Sequence, residues 1–155
     1  MIASTRSAAD RAHAIALFVT GTLTCLYWVL FFLTDLTRPD FATWPASTRT
    51  PELPAVYDAF ESAFPAADAF TGLCLAVAGL YLWAGDRLAA LFGLVGAGAL
   101  LFLALIDIEF NVLHGFYAPE RLASDVGLSL ELAINIGCLS FGVFTLLRMW
   151  SKVRG

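Results

Sequence analysis

Charge is what this chain has least of. Only 14% of its 155 residues are Asp, Glu, Lys or Arg, against 59% hydrophobic residues, and the mean hydropathy is +0.78. A soluble domain carries about a quarter charged residues, so this balance excludes an ordinary soluble fold. Nine basic residues against 13 acidic ones leave a net charge of −4, which argues against nucleic acid as a partner. Cysteine occurs three times, at Cys25, Cys74 and Cys138, in separate segments and without a CxxC pair. That excludes a thiol redox centre or a cysteine-rich zinc site and leaves the three as small packing residues. There are two histidines but no HExxH, no paired Glu-x-x-His, no phosphate loop and no nucleophile motif, so the familiar routes to catalysis are missing. No internal repeat or low-complexity tract is present.

What the chain does have is four apolar runs, at about 13–34, 65–84, 88–110 and 127–147. Each is long enough, at roughly 1.5 Å per residue, to cross a hydrocarbon core of about 30 Å. The expected fold class is therefore all-α: an integral membrane four-helix bundle forming one domain over residues 1–155. The first run, Ala14 to Leu33, is too long for a signal-peptide core, and no small-residue cleavage site follows before Asp35, so it should remain as the first helix. Gly85, Asp86 and Arg87 join the second and third spans so tightly that these must be antiparallel neighbours. Small residues repeat every four positions at Ala89, Gly93 and Ala97, and at Gly72 and Ala76. The second and third helices are accordingly expected to make the closest contact of the bundle. Residues 35–64 form a long connection that opens with proline-rich TRPDFATWP. It ends with Tyr57, Phe60 and Phe64 on one helical face and Asp58, Glu61 and Ser62 on another, the pattern of a short amphipathic helix lying on the membrane surface.

Orientation follows from the basic residues. Arg6 and Arg11 precede the first span, Arg87 lies in the short turn, and Arg148, Lys152 and Arg154 follow the fourth. The positive-inside rule then places both termini in the cytoplasm, with the chain passing several times through the membrane. Eleven of the 13 acidic residues fall at the outer end, leaving only Asp10 and Asp86 inside.

Polar residues enter the spans at that outer end alone. Counted back from Trp83, Asp68 lies about 23 Å across the membrane, within the outer leaflet. Pro65 three positions earlier suits a helix start, so Asp68 also reads as a carboxylate placed on the free N–H groups of a first turn. In the third span, Leu88 to Ile106 measures about 28 Å, which puts Asp107 at the boundary and Asn111 and His114 just beyond. These three share a face within an arc of about 60° if the helix continues, while Glu109 points away. The plain alternative is solvation at the headgroups, with Phe116 and Tyr117 as aromatic anchors. Glu131 sits about one turn into the fourth span and Asn135 a further turn in. A carboxylate at such depth costs a few kcal/mol unless it meets a partner or a wet cavity, so Glu131 should look inward, with Asn135 and Cys138 below it. An interhelical hydrogen bond that fixes packing is the plain reading of that pair.

The candidate binding residues are thus Asp68, Asp107, Asn111, His114, Glu131 and Asn135, with Glu61 on the surface helix. Their expected arrangement is an acidic cup, closed toward the cytoplasm by apolar inner halves and walled on its fourth side by Thr24, Tyr27 and Trp28. Carboxylates with Asn and His suit a cation, either a divalent metal ion such as Mn, Fe, Zn or Ca, or a cationic or lipid-like small molecule. Acid/base chemistry on a lipid-like substrate is a second function. A small accessory subunit that docks to a larger membrane complex is a third, and besides the lipid bilayer a membrane-protein partner or a second copy is then the expected contact.

Two motifs carry a family likeness: FExxFPxAD at Phe60, Glu61, Phe64, Pro65, Ala67 and Asp68, and DxxFNxxxGxY at Asp107, Phe110, Asn111, Gly115 and Tyr117. Through them the chain resembles a group of small bacterial four-helix membrane proteins, a likeness that implies the fold and no particular chemistry. More loosely, four spans with acidic residues gathered at one end look like the sterol-isomerase and sigma-2-receptor type of bundle, which implies an acidic pocket for lipid-like cationic ligands.

Overall fold

A computed structural model of the chain describes residues 7–37, 59–60 and 62–154. These residues form five helices and no strand: α1 (Ala8–Thr37), α2 (Phe64–Ala84), α3 (Leu88–Leu113), α4 (Pro119–Ser124) and α5 (Val126–Arg154). All but α4 are long and apolar enough to cross a membrane. The long helices outrun the apolar runs because polar capping extends them. Ser7 Oγ accepts from the Asp10 N–H at 3.1 Å and starts α1 ahead of its first apolar residue. At the other extreme Lys152 and Arg154 sit in the last turn of α5, where the helix dipole favours cations. The α4 turn, opened by Pro119, was not expected from the apolar pattern.

The chain reverses between α2 and α3 in three residues. Gly85 takes the left-handed conformation, φ 72°, that an L side chain resists, and the backbone N–H groups of Gly85 and Asp86 close the last turn of α2 on Leu82 and Tyr81. Asp86 then caps α3, its Oδ1 accepting from the Leu88 N–H at 2.8 Å. Packing follows chain order: α1 lies on α2, α2 on α3, α3 on α5, and α4 on α5. Charges close α1 against α5 at one end, where Asp10 Oδ1 accepts from Arg148 at 3.0 Å and Lys152 at 2.8 Å. His13 and Thr145, both buried, pair next to them at 3.1 Å. This basic end holds the first turn of α1, the α2–α3 turn and the last turn of α5.

The close approach is not where the small-residue spacing placed it. A Cβ on Gly72 would lie 2.7 Å from Gly21 O and from Cys25 Sγ, so the small stripe of α2 meets α1 instead of α3. On α3, Gly93 receives the Met149 side chain of α5, and α2 meets α3 through Leu75 set against Gly96. Small residues announce that a backbone approaches; with two neighbours per helix, they do not say which.

Unlike a soluble bundle, this one carries large apolar side chains on its outer surface. Ala14, Ala78, Ala97, Thr71 and Thr145 are buried, whereas Leu73, Phe102 and Leu147 are 60%, 64% and 64% exposed. Toward the basic end the interior is apolar, built on Leu17, Leu75, Leu82, Leu100 and Met149.

Candidate functional site

At the end of the bundle opposite Arg87, Arg148 and Lys152, the interior turns polar. Two helices each contribute a pair spaced i, i+4: Asp107 and Asn111 from the last turns of α3, Glu131 and Asn135 from the first turns of α5. Because α3 and α5 are antiparallel, the pairs oppose each other and their side chains interlock. Asn111 Nδ2 donates to Asp107 Oδ1 at 3.0 Å and to Glu131 Oε1 at 2.9 Å, with the Asp107 backbone carbonyl also 2.9 Å away. Asn135 Nδ2 donates to Asp107 Oδ2 at 2.5 Å and to the Tyr117 hydroxyl at 3.0 Å. Tyr117 in turn donates to Glu131 Oε1 at 3.3 Å.

These bonds form a closed ring: Asp107, Asn111, Glu131, Tyr117, Asn135 and back to Asp107. The amide orientations are fixed by chemistry, since a carboxylate only accepts and an amide oxygen set against it would be repelled. Asn111 is wholly buried, and its Oδ1 has no hydrogen-bond partner among the described residues. Tyr117 lies outside the spanning helices; burial, and then the neighbouring Glu131 charge, push its phenol above the ordinary range and keep it a proton donor.

Tyr117 owes its place to the turn that ends α3. His114 terminates the helix, Gly115 takes φ 69°, and the Phe116 N–H returns to Asn111 O at 2.8 Å. Phe116 is thereby buried against Leu128, and Tyr117 is turned over the ring. Sequence reasoning treated Tyr117 only as a headgroup anchor; Gly115 two positions earlier was the available signal for the reversal. The same turn removes His114 from the set it was expected to join. With α3 ending at Leu113, the i+7 position is off the shared face, and His114 Nδ1 donates to Phe110 O at 2.8 Å while its ring lies 4.2 Å from that of Phe110. Glu109 is exposed, as its helical position implies.

Asp68 approaches from α2. Its Oδ2 accepts from Trp28 Nε1 of α1 at 2.7 Å, which ties the first two helices at this depth. Its Oδ1 carries no hydrogen bond among the described residues. Asp68 lies on α2 toward the same end of the bundle as Asp107, and Cys138 follows Asn135 by three positions on α5. Trp28 is itself buried, with Tyr27 edge-on at 5.2 Å and Phe32 at 6.0 Å. Thr24 does not reach the site; its hydroxyl donates to Thr20 O.

Glu61 and most of the expected surface helix lie outside the described residues. Of that segment, Phe60 is stacked on Phe110 at 3.8 Å and meets Phe64 edge-on at 4.8 Å, so its aromatic face turns toward α3. Among the described residues no three His, Cys, Asp or Glu side chains converge on a point where a metal could sit. The ring explains this locally: the gap between Asp107 and Glu131 is filled by amide hydrogens of Asn111, which take the place a cation would need.

Compared with known proteins, the chain matches no family, no curated protein and no solved structure.

Proposed function

We propose that this chain is a multi-pass protein of a bacterial cell membrane, with both termini in the cytoplasm, that binds a cationic, lipid-like molecule at its outer, acidic end. Membrane residence is supported by the apolar outer surface, where Leu73, Phe102 and Leu147 are among many large apolar side chains that face outward. Orientation is supported by the basic residues and by the exposed Trp83 and Trp150, which sit at the basic end where aromatic side chains suit an interface.

The observation that carries the binding reading is Asp68. Its carboxylate is held by the Trp28 indole and keeps one oxygen without a hydrogen bond among the described residues, and the same end of the bundle holds a second carboxylate, Asp107, whose two oxygens accept from Asn111 and Asn135. An ammonium group set on Asp68 gains the Asp107 charge and the neighbouring aromatic faces, while its apolar tail remains among lipid-facing side chains. The ring contributes fixed charge rather than a ligand set. A divalent ion, which needs several converging oxygens, fits this arrangement poorly. So does acid/base catalysis, because the ring's donors are two amides and a phenol held protonated. Leu113 and Val126, 74% and 84% exposed at the acidic end, favour the accessory-subunit reading as the alternative.

The test is native mass spectrometry of the purified protein offered dodecyltrimethylammonium and dodecanol together. The wild type retains the ammonium amphiphile, and Asp68→Asn retains at least about tenfold less, the equivalent of 1.4 kcal/mol. Equal retention by both proteins moves the assignment to the accessory subunit.

A further inference from the structure

The basic end carries a feature that the acidic site leaves unused. A cleft of about 600 Å³ opens where the first turn of α1, the α2–α3 turn and the last turn of α5 meet. Leu82, Leu88 and Val153 give it an apolar side, and Asp10, Asp86, Arg87 and Lys152 a charged one.

The charges there are unequally spent. Asp10 is saturated: Oδ1 accepts from Arg148 and Lys152, and Oδ2 from the Ser7 hydroxyl at 3.1 Å. Asp86 gives one oxygen to the α3 cap. Arg87, by contrast, is exposed and makes no ion pair among the described residues. Lys152 has three N–H donors and uses one of them on Asp10. Against the one Asp86 oxygen that the α3 cap leaves over, the cleft presents a whole guanidinium and part of an ammonium beside an apolar wall.

We infer that this cleft binds the phosphodiester headgroup of an anionic phospholipid. Arg87 and Lys152 take the phosphate oxygens, Arg87 through its planar fork, and Leu82, Leu88 and Val153 take the first methylenes of an acyl chain. Free phosphate satisfies the two cations but leaves the apolar wall wet, so the amphiphile is the better complement. The position agrees with the headgroup level marked by the exposed Trp83 and Trp150. Basic side chains at a cytoplasmic surface attract anionic lipid in the same way. This inference rests on the membrane reading above and is independent of the ligand at Asp68.

The experiment uses the full chain in nanodiscs of phosphatidylglycerol and phosphatidylcholine mixed equally, followed by native mass spectrometry of the lipid that stays bound. The wild type retains phosphatidylglycerol preferentially. Arg87→Gln lowers that preference about fivefold and the Arg87→Gln, Lys152→Gln pair about thirtyfold, taking each cation at the strength typical of a basic group near an anionic surface. Arg87→Gln alone breaks no side-chain hydrogen bond or ion pair within the described residues, so it separates lipid binding from folding should loss of the Lys152–Asp10 pair loosen the bundle. Asp68→Asn leaves the preference unchanged. An unchanged preference in Arg87→Gln, or displacement of the retained lipid by 10 mM inorganic phosphate (about that concentration), overturns the assignment. Release of the chain from membranes by alkaline carbonate instead overturns the membrane reading itself.

Discussion

Replacing Asn111 separates an electrostatic ring from ordinary packing. Asn111 is wholly buried and donates to two carboxylates, one on its own helix and one on α5. Asn111→Leu removes both donors and keeps the branch at Cγ while adding volume. Hydrogen bonds in membrane bundles are worth about 0.6–1.7 kcal/mol each, so the loss is about 1–3 kcal/mol. In a chain of this length that lowers the melting temperature by about 2–12 °C. Asn111→Asp is nearly isosteric, yet it sets a third carboxylate about 3 Å from Asp107 and Glu131. One such pair at an effective dielectric of 20 costs on the order of 5 kcal/mol, added to the lost donors. That approaches the whole stability of a typical domain. Thermal unfolding in neutral detergent at pH 7, followed by near-ultraviolet circular dichroism, should rank wild type above Leu and Leu above Asp. A packing site ranks them the other way, because the isostere fits and the branched chain does not. An Asp variant as stable as the Leu variant would refute the ring.

Three further outcomes follow from other parts of the molecule. Gly72→Val should prevent folding or cost at least about 1–3 kcal/mol by forcing α1 from α2, since even a Cβ there meets Gly21 O at 2.7 Å; Gly137→Ala, with open space around it, should fold normally in the same expression and size-exclusion assay. Tyr117→Phe removes a phenol that ionises more readily in the unfolded chain than in the folded one. Wild-type stability should therefore fall as pH rises above about 10, and the variant, less stable at pH 7, should lose less over that interval in chemical unfolding at stepped pH. Ser47→Cys should react with a membrane-impermeant maleimide added outside intact spheroplasts, and Ser151→Cys only after lysis; the reverse pattern would invert the proposed orientation.

Much of the site was legible because its members come as helical pairs. Asp107 with Asn111, and Glu131 with Asn135, are each one turn apart, so the sequence places each pair on one face, and the cost of a polar group at that depth turns both faces inward. Nothing in that periodicity extends past the end of a helix. Tyr117 enters, and His114 leaves, through a single left-handed residue at Gly115, whose effect depends on where α3 stops. Partner choice was illegible for a different reason. The stripe at Gly72 fits α1 or α3 equally well by spacing, and only the side chains opposite decide. Ser7 and Asp10 lengthen α1 by local capping that a hydropathy window cannot register.

The claim that Asp68 and Asp107 act together on one bound cation is tested most directly by a double-mutant cycle on the affinity for dodecyltrimethylammonium. Dissociation constants from calorimetry are needed for the wild type, Asp68→Asn, Asp107→Asn and the double variant. If both charges address the same ammonium, each single change weakens binding. The coupling between them should reach at least about 0.5 kcal/mol, the lower end for residues that share one partner. Affinities equal to wild type in both single variants would contradict the account and leave the carboxylates as parts of a packing network.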